Sequence, residues 1–160
     1  MDYNPDKETN QIIANYWATF CQANHLPLNT IHVADQFGHQ GIADELAQLV
    51  LDGKKTATCS AHKLYEVEGD NLPEPGLYTI VLNSQDHPLC IIKTTEVHLV
   101  PMNAVPEALA LAEGEGSHQA WYDGHFHYFT EEFKLYGRKF HDDELLVFER
   151  FELVDTKSIA

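Results

Sequence analysis

The sequence predicts an α+β fold: helical patterns fill the first third, extended runs the middle, further helices follow, and an apolar strand closes the chain. Three observations carry this. Apolar residues recur at three- and four-residue spacing from Glu8 to Asn24 and again from Gly41 to Asp52. Short β-tolerant runs bounded by turn residues follow, and "ELLVFERFELV", Glu144 to Val154, reads as one strand. The 160 residues, 44% of them hydrophobic, are enough for one domain that buries about 70% of its unfolded surface.

In the first helix Ile12, Ile13, Tyr16, Trp17, Phe20 and Cys21 share a face, and Leu26-Pro27 lies just beyond its end. In the second, Ile42, Leu46, Leu49 and Val50 lie on one side, with Gly53 where a left-handed cap is usual. "TATCSA", "GLYTIVLN" and "PLCIIKTTEVHLV" are β-prone, the last two separated by the turn "NSQDH", so a small, partly closed sheet of antiparallel neighbours is expected. Pro106 to Ala112 reads as helix. Ser117 can cap a further helix that carries Trp121, His125 and Phe129 at four-residue spacing, with Gly124 a candidate break and Gly137 the end of the helical region. In the final strand Leu146, Phe148 and Arg150 are expected on one face.

Composition narrows the partners. Twenty-five acidic residues against ten basic ones give a formal charge of -15. A protein that grips a nucleic-acid backbone neutralises about 6–10 phosphates, so tight non-specific DNA or RNA binding is not expected. A local basic pocket remains open, because Lys54, Lys55 and Lys63 cluster in sequence, as do Lys134, Arg138 and Lys139. No apolar run is long enough for a membrane span, and the polar start "MDYNPDKETN" does not read as an export signal, so a cytoplasmic location is expected. Cys21, Cys59 and Cys90 form no C-x-x-C pair and read as small buried hydrophobes of a reducing compartment.

Four features carry chemistry. In "DGKKTATCS", Asp52 to Ser60, Lys54 beside Lys55 would favour a neutral amine able to take a proton from a hydroxyl of Thr56, Thr58 or Ser60. The plainer reading is a solvated helix end favoured by the macrodipole. Lys55 and Thr58 would meet only across irregular backbone, because a regular strand points them to opposite faces. "EGEGS", Glu113 to Ser117, sets two carboxylates on a glycine-rich loop ahead of a helix, where they could line a cleft or simply complement the helix dipole. The ten histidines, including His125 and His127 in "HFH", match no metal-ligand spacing, so no metal or other cofactor is expected. Trp121 and His125 share a helix face and could stack a base or belong to the core. No Walker loop, dinucleotide fingerprint or nucleophile elbow is present.

The stretches "FGHQGIADELAQLVLDGKKTATCS" and "EGEGSHQAWYDGHFHYF" together resemble the ASCH domain family, over nearly the whole chain from Phe37 to Val154. The resemblance implies a small PUA-like mixed or antiparallel β-barrel flanked by helices, with a cleft for RNA or nucleosides. It sets the domain at 37–154, with an N-terminal helical extension at 1–36 and a tail at 155–160. In the family motif of glycine, any residue, lysine, four residues and arginine, the first two fall on Gly53 and Lys55, and Ser60 stands at the arginine's place. Shorter ASCH-type enzymes deacylate N4-acylated cytidine with a lysine, a threonine three positions on and a downstream glutamate. The resemblance places these on Lys55 as general base, Thr58 as nucleophile and Glu115 as the group that orients the lysine. Lys54, Ser60, Trp121 and His125 then become candidate substrate contacts. The expected partner is a nucleoside or short RNA, with cleavage of single-stranded RNA or non-catalytic RNA or nucleotide binding as alternatives.

Overall fold

The computed structural model describes residues 6–158. The first five positions of the expected N-terminal extension and the last two of the expected tail lie outside the described residues. The chain packs as two compact units that interleave in sequence: one holds the chain through Gly53, Gly76–Thr94 and the part from Glu152 on, the other Lys54–Pro75 and Thr95–Phe151.

In the first unit, helix α1 (Lys7–Ala23) starts at Asp6, whose carboxylate accepts the Glu8 N–H at 3.2 Å. It buries Tyr16, Trp17, Phe20 and Cys21 in one cluster with Ile80, Leu82 and Ile91. Burial of each large apolar side chain of this kind contributes roughly 1.5–3 kcal/mol. Strand β1 (His32–Asp35) runs parallel to β3 (Tyr78–Leu82), with His32 opposite Tyr78. β3 in turn runs antiparallel to β4 (Pro88–Pro101), with a register shift between Val81 and Leu82. Helix α2 (Ala43–Leu51) carries Asp44, which accepts both the N–H and the O–H of Ser84 at 2.8 Å.

In the second unit, β2 (Ala57–Ala61) runs antiparallel to β5 (Leu145–Thr156), pairing Cys59 with Phe148 and Thr58 with Glu149. Helix α3 (His62–Glu68), a 3₁₀ turn at Met102–Ala104, α4 (Glu107–Ala112) and α5 (His118–Lys134) complete it. Its core joins Leu64, Met102, Leu109, Trp121, Phe129, Phe133, Phe140, Leu146 and Phe148. The described residues form five strands of a mixed sheet and five α-helices.

The α+β expectation holds, with three differences in detail. β1 and α3 were not anticipated. α5 runs unbroken through Gly124, because a glycine weakens a helix by only about 1 kcal/mol and the aromatic residues on this one are locked into the core. On β5, Val147 is buried along with Leu146 and Phe148, so this stretch is covered on both faces rather than one.

Candidate functional site

The site lies within the second unit and begins with a helix end. α4 stops at Ala112, and Gly114 turns the chain at φ +75, where a Cβ would stand 2.7 Å from the Lys54 carbonyl oxygen. Only glycine lets the loop approach the 54–56 backbone this closely. Thr56 N–H donates to the Ala112 carbonyl at 2.7 Å, and the Phe151 N–H donates to the Thr56 carbonyl at 3.1 Å. The irregular segment just before β2 is thereby tied to both α4 and β5. The consequence is that Lys55 and Glu113, 58 residues apart in sequence, face each other inside the protein.

Their side chains form an ion pair, Nζ to Oε1 at 3.1 Å, each only 1% exposed. Glu113 sits at the C-terminal end of a helix, where the dipole disfavours a carboxylate, so its stability there rests on donors from elsewhere. Oε1 takes the lysine, while Oε2 accepts the Trp121 indole N–H and the Cys59 S–H, the latter at 3.2 Å. His125 Nε2 lies 3.3 Å from the same oxygen. Burial alone would raise the Glu113 pKa, but the Lys55 ammonium, followed by His125 and the Trp121 hydrogen bond, outweighs it and holds the carboxyl below its usual range.

His125 links this buried pair to the surface. One turn before it on α5, the Trp121 carbonyl takes its Nδ1–H at 2.9 Å, and the two rings stack with centroids 4.7 Å apart. Nε2 therefore points at two carboxylates, Glu113 at 3.3 Å and Glu115 at 3.5 Å. Burial alone would lower the His125 pKa, but its hydrogen bond to Glu113 and the charges of Glu113 and Glu115 raise it. Glu115 is raised, by burial first and by the Glu113 charge, against the opposing pull of His125 and Lys55. Accessibility climbs along this chain of contacts, from 1% at Lys55 and Glu113 to 15% at His125 and 28% at Glu115.

The sequence profile of the ASCH domain matches residues 33–155. The chain belongs to the ASCH domain family. The ASCH chain is similar to two solved structures. Protein EF3133 from Enterococcus faecalis V583 is 39% identical with a TM-score of 0.83, over 91% of this chain and 90% of that one. An ASCH domain from Lactobacillus crispatus JV V101 is 30% identical with a TM-score of 0.79, over 96% and 98%. ASCH domains have a PUA-like fold, and the expected fold class stands on that ground. No curated protein matches the ASCH chain. No described helix of the ASCH protein is long and apolar enough to cross a membrane.

The expected site residues of the ASCH chain separate into three groups. Lys55, Glu115 and His125 meet in the network just described, but the carboxylate bonded to the lysine is Glu113, and Glu115 joins through His125. Trp121 is 1% exposed, packs against Phe148 and turns its N–H onto Glu113, so its ring is a core element rather than a platform for a base. Thr58 and Ser60 lie on β2 out of step with Cys59, whose thiol reaches Glu113; Ser60 shares a hydrogen bond of 2.6 Å with the Tyr65 hydroxyl. Lys54 is exposed at the rim of the segment. One further lysine of each basic cluster is ion-paired: Lys63 with Glu144 at 3.2 Å and Lys134 with Glu131 at 2.9 Å.

Cys59 was read as a buried hydrophobe alongside Cys21 and Cys90. Those two are buried, whereas the Cys59 thiol belongs to the polar network, with burial and the Glu113 charge pushing its pKa well up. Strand alternation around "ATCSA" was the available signal, since it puts Cys59 on the face shared with the buried Ala57 and Ala61.

Proposed function

We propose that this ASCH protein hydrolyses a small amide carried on a nucleoside base, of the N4-acylcytidine type, with Glu115 as the proton-transferring group. The observation that supports this reading is the gradient of the network: a buried ion pair fixed at one end, and at the other a partly accessible carboxylate with a raised pKa. Burial, then the Glu113 charge, raises the Glu115 pKa above the ordinary carboxylate range, the direction that suits a group that both takes and returns a proton. Lys55, at 1% exposure, acts on substrate only through Glu113, as a positioning group. Glu113 in turn holds His125, and His125 orients Glu115.

In the reaction Glu115 accepts a proton from water as its oxygen attacks the amide carbonyl. The tetrahedral intermediate collapses by breaking the carbon–nitrogen bond, and Glu115 returns the proton to the departing base nitrogen, leaving acetate and cytidine from an acetyl substrate. Lys54, exposed and next in sequence to Lys55, is the cation we assign to a phosphate or carbonyl oxygen of the substrate. The charge of -15 favours a nucleoside over a long polyanion.

The experiment presents N4-acetylcytidine and a short single-stranded RNA to the wild type, Glu115→Gln and Thr58→Ala. Expected are acetate release by the wild type, a loss of about 10²- to 10⁴-fold in Glu115→Gln, near-wild-type turnover in Thr58→Ala and intact RNA. Loss in Thr58→Ala with retention in Glu115→Gln would transfer the chemistry to a threonine nucleophile. Cut RNA with untouched N4-acetylcytidine would overturn the amide reading.

A further inference from the structure

We propose that Cys59, Glu113 and His125 form a binding site for one divalent cation of the zinc class, with Glu115 beside its open coordination position. One ligand atom from each of the three lies within 4.8 Å of the other two. Zinc holds oxygen and nitrogen at about 2.0–2.1 Å and sulfur at about 2.3 Å, which at tetrahedral angles sets oxygen and nitrogen about 3.3 Å apart and sulfur and oxygen about 3.5 Å apart. The corresponding separations are 3.3 Å from His125 Nε2 to Glu113 Oε2 and 3.2 Å from Cys59 Sγ to the same oxygen. Two of the three ligand separations thus match a tetrahedral site to within a few tenths of an ångström, and the third, between the Cys59 thiol and the His125 ring, lies within 4.8 Å, so a cation seats by drawing these two side chains together. It displaces the protons these atoms now share.

The surroundings are those of a metal centre. A metal-bound histidine commonly gives its other ring N–H to a carbonyl or carboxylate, which fixes the tautomer and the ring. Here Nδ1–H goes to the Trp121 carbonyl at 2.9 Å, leaving Nε2 turned to the site. The ligating carboxylate is itself held, by the Trp121 indole N–H and by Lys55 on its other oxygen at 3.1 Å. Charge closes as well: the Cys59 thiolate, Glu113 and Glu115 bring three negative charges, and Lys55 with a divalent cation brings three positive ones.

Sulfur and imidazole ligands select zinc-like ions over magnesium or calcium, which prefer oxygen cages. Entry runs past His125 and Glu115, the more accessible members of the network. A water bound there would be activated as a nucleophile, with Glu115 at hand to take its proton. The inference deepens the hydrolase reading of this site, yet its test reads binding and does not depend on turnover.

Cobalt(II) alone serves as the probe, titrated into metal-free protein and into Cys59→Ser, His125→Asn and Trp121→Phe, with circular dichroism to verify that each is folded. Expected are one ion per chain, intense visible bands of four-coordinate cobalt and thiolate-to-cobalt absorption in the near ultraviolet. Cys59→Ser loses the ultraviolet band, and it and His125→Asn bind at least about 100-fold more weakly. Trp121→Phe, which removes the donor to Glu113 along with part of the indole packing against His125 and Phe148, weakens binding by about 10- to 100-fold while leaving the three ligands in place. No cobalt binding, weak six-coordinate spectra, or titrations unchanged in Cys59→Ser and His125→Asn would overturn the site. Acetate release from N4-acetylcytidine without cobalt binding would overturn the metal and spare the hydrolase, whereas cobalt binding without acetate release would do the reverse.

Discussion

Glu113 shows how one side chain fixes a site. A carboxylate this buried is tolerated because Lys55, Cys59, Trp121 and His125 all turn to it. Removing the cation should therefore cost more than the pair is worth in net stability: Lys55→Met is expected to lose about 3–5 kcal/mol, measured by urea unfolding, because an uncompensated charge stays behind. Lys55→Met combined with Glu113→Leu should lose less than the sum of the two single changes, since the double variant leaves no orphan charge. Strict additivity would mean that the two side chains do not act as a unit.

Tyr16 gives a pH test at the same scale. Its hydroxyl donates to Asp155 at 2.6 Å, and burial, then that bond and the Asp155 charge, raise its pKa above the ordinary 10.0. In the unfolded chain the phenol ionises near its ordinary value, while in the folded chain it keeps its proton. Its contribution is therefore fully present below about pH 10 and is lost as pH climbs beyond. Thermal melts from pH 8 to 11 should show an alkaline decline that Tyr16→Phe flattens, that variant being about 1.5 kcal/mol less stable at neutral pH. A decline of unchanged steepness in Tyr16→Phe would remove the residue from the account.

At the scale of elements, α5 is the informative case. It buries Trp121, Phe129 and Phe133, and Gly124, exposed, has open space where a Cβ would go. Gly124→Ala should stabilise the protein by about 0.5–1 kcal/mol, read as a raised melting temperature. A fall would mean that this stretch needs glycine's freedom. The same helix shows where periodicity was legible: Trp121, His125 and Phe129 stood out by spacing, and Ser117 accepts the Ala120 N–H as its cap at 3.1 Å. β1 was not legible, because its four residues "HVAD" are mostly exposed and draw their order from pairing with β3. α3 was hidden because it follows β2 with no turn residue between them. In the site, Lys55 and the "EGEGS" loop were visible as types and positions. Which of the two loop carboxylates meets the lysine was not, since that follows from the Gly114 turn against the Lys54 carbonyl, a contact between distant segments.

For the whole molecule, the balance of charge and the anatomy of the site point the same way. Ten basic residues leave little to hold a long phosphate backbone, and Lys55, Lys63 and Lys134 are engaged with acids. What remains accessible is a carboxylate and an imidazole of the network, with Lys54 exposed, a suitable set for one small polar substrate. The central claim is that the buried Lys55–Glu113 pair exists to hold His125 and Glu115 for proton transfer. The most direct measurement is steady-state hydrolysis of N4-acetylcytidine by the wild type and Glu115→Gln across pH 5 to 9. A kcat reduced by about 10²-fold or more with KM little changed, and loss of the limb that reports the Glu115 ionisation, is the predicted result. An unaltered kcat and pH profile in Glu115→Gln would contradict it.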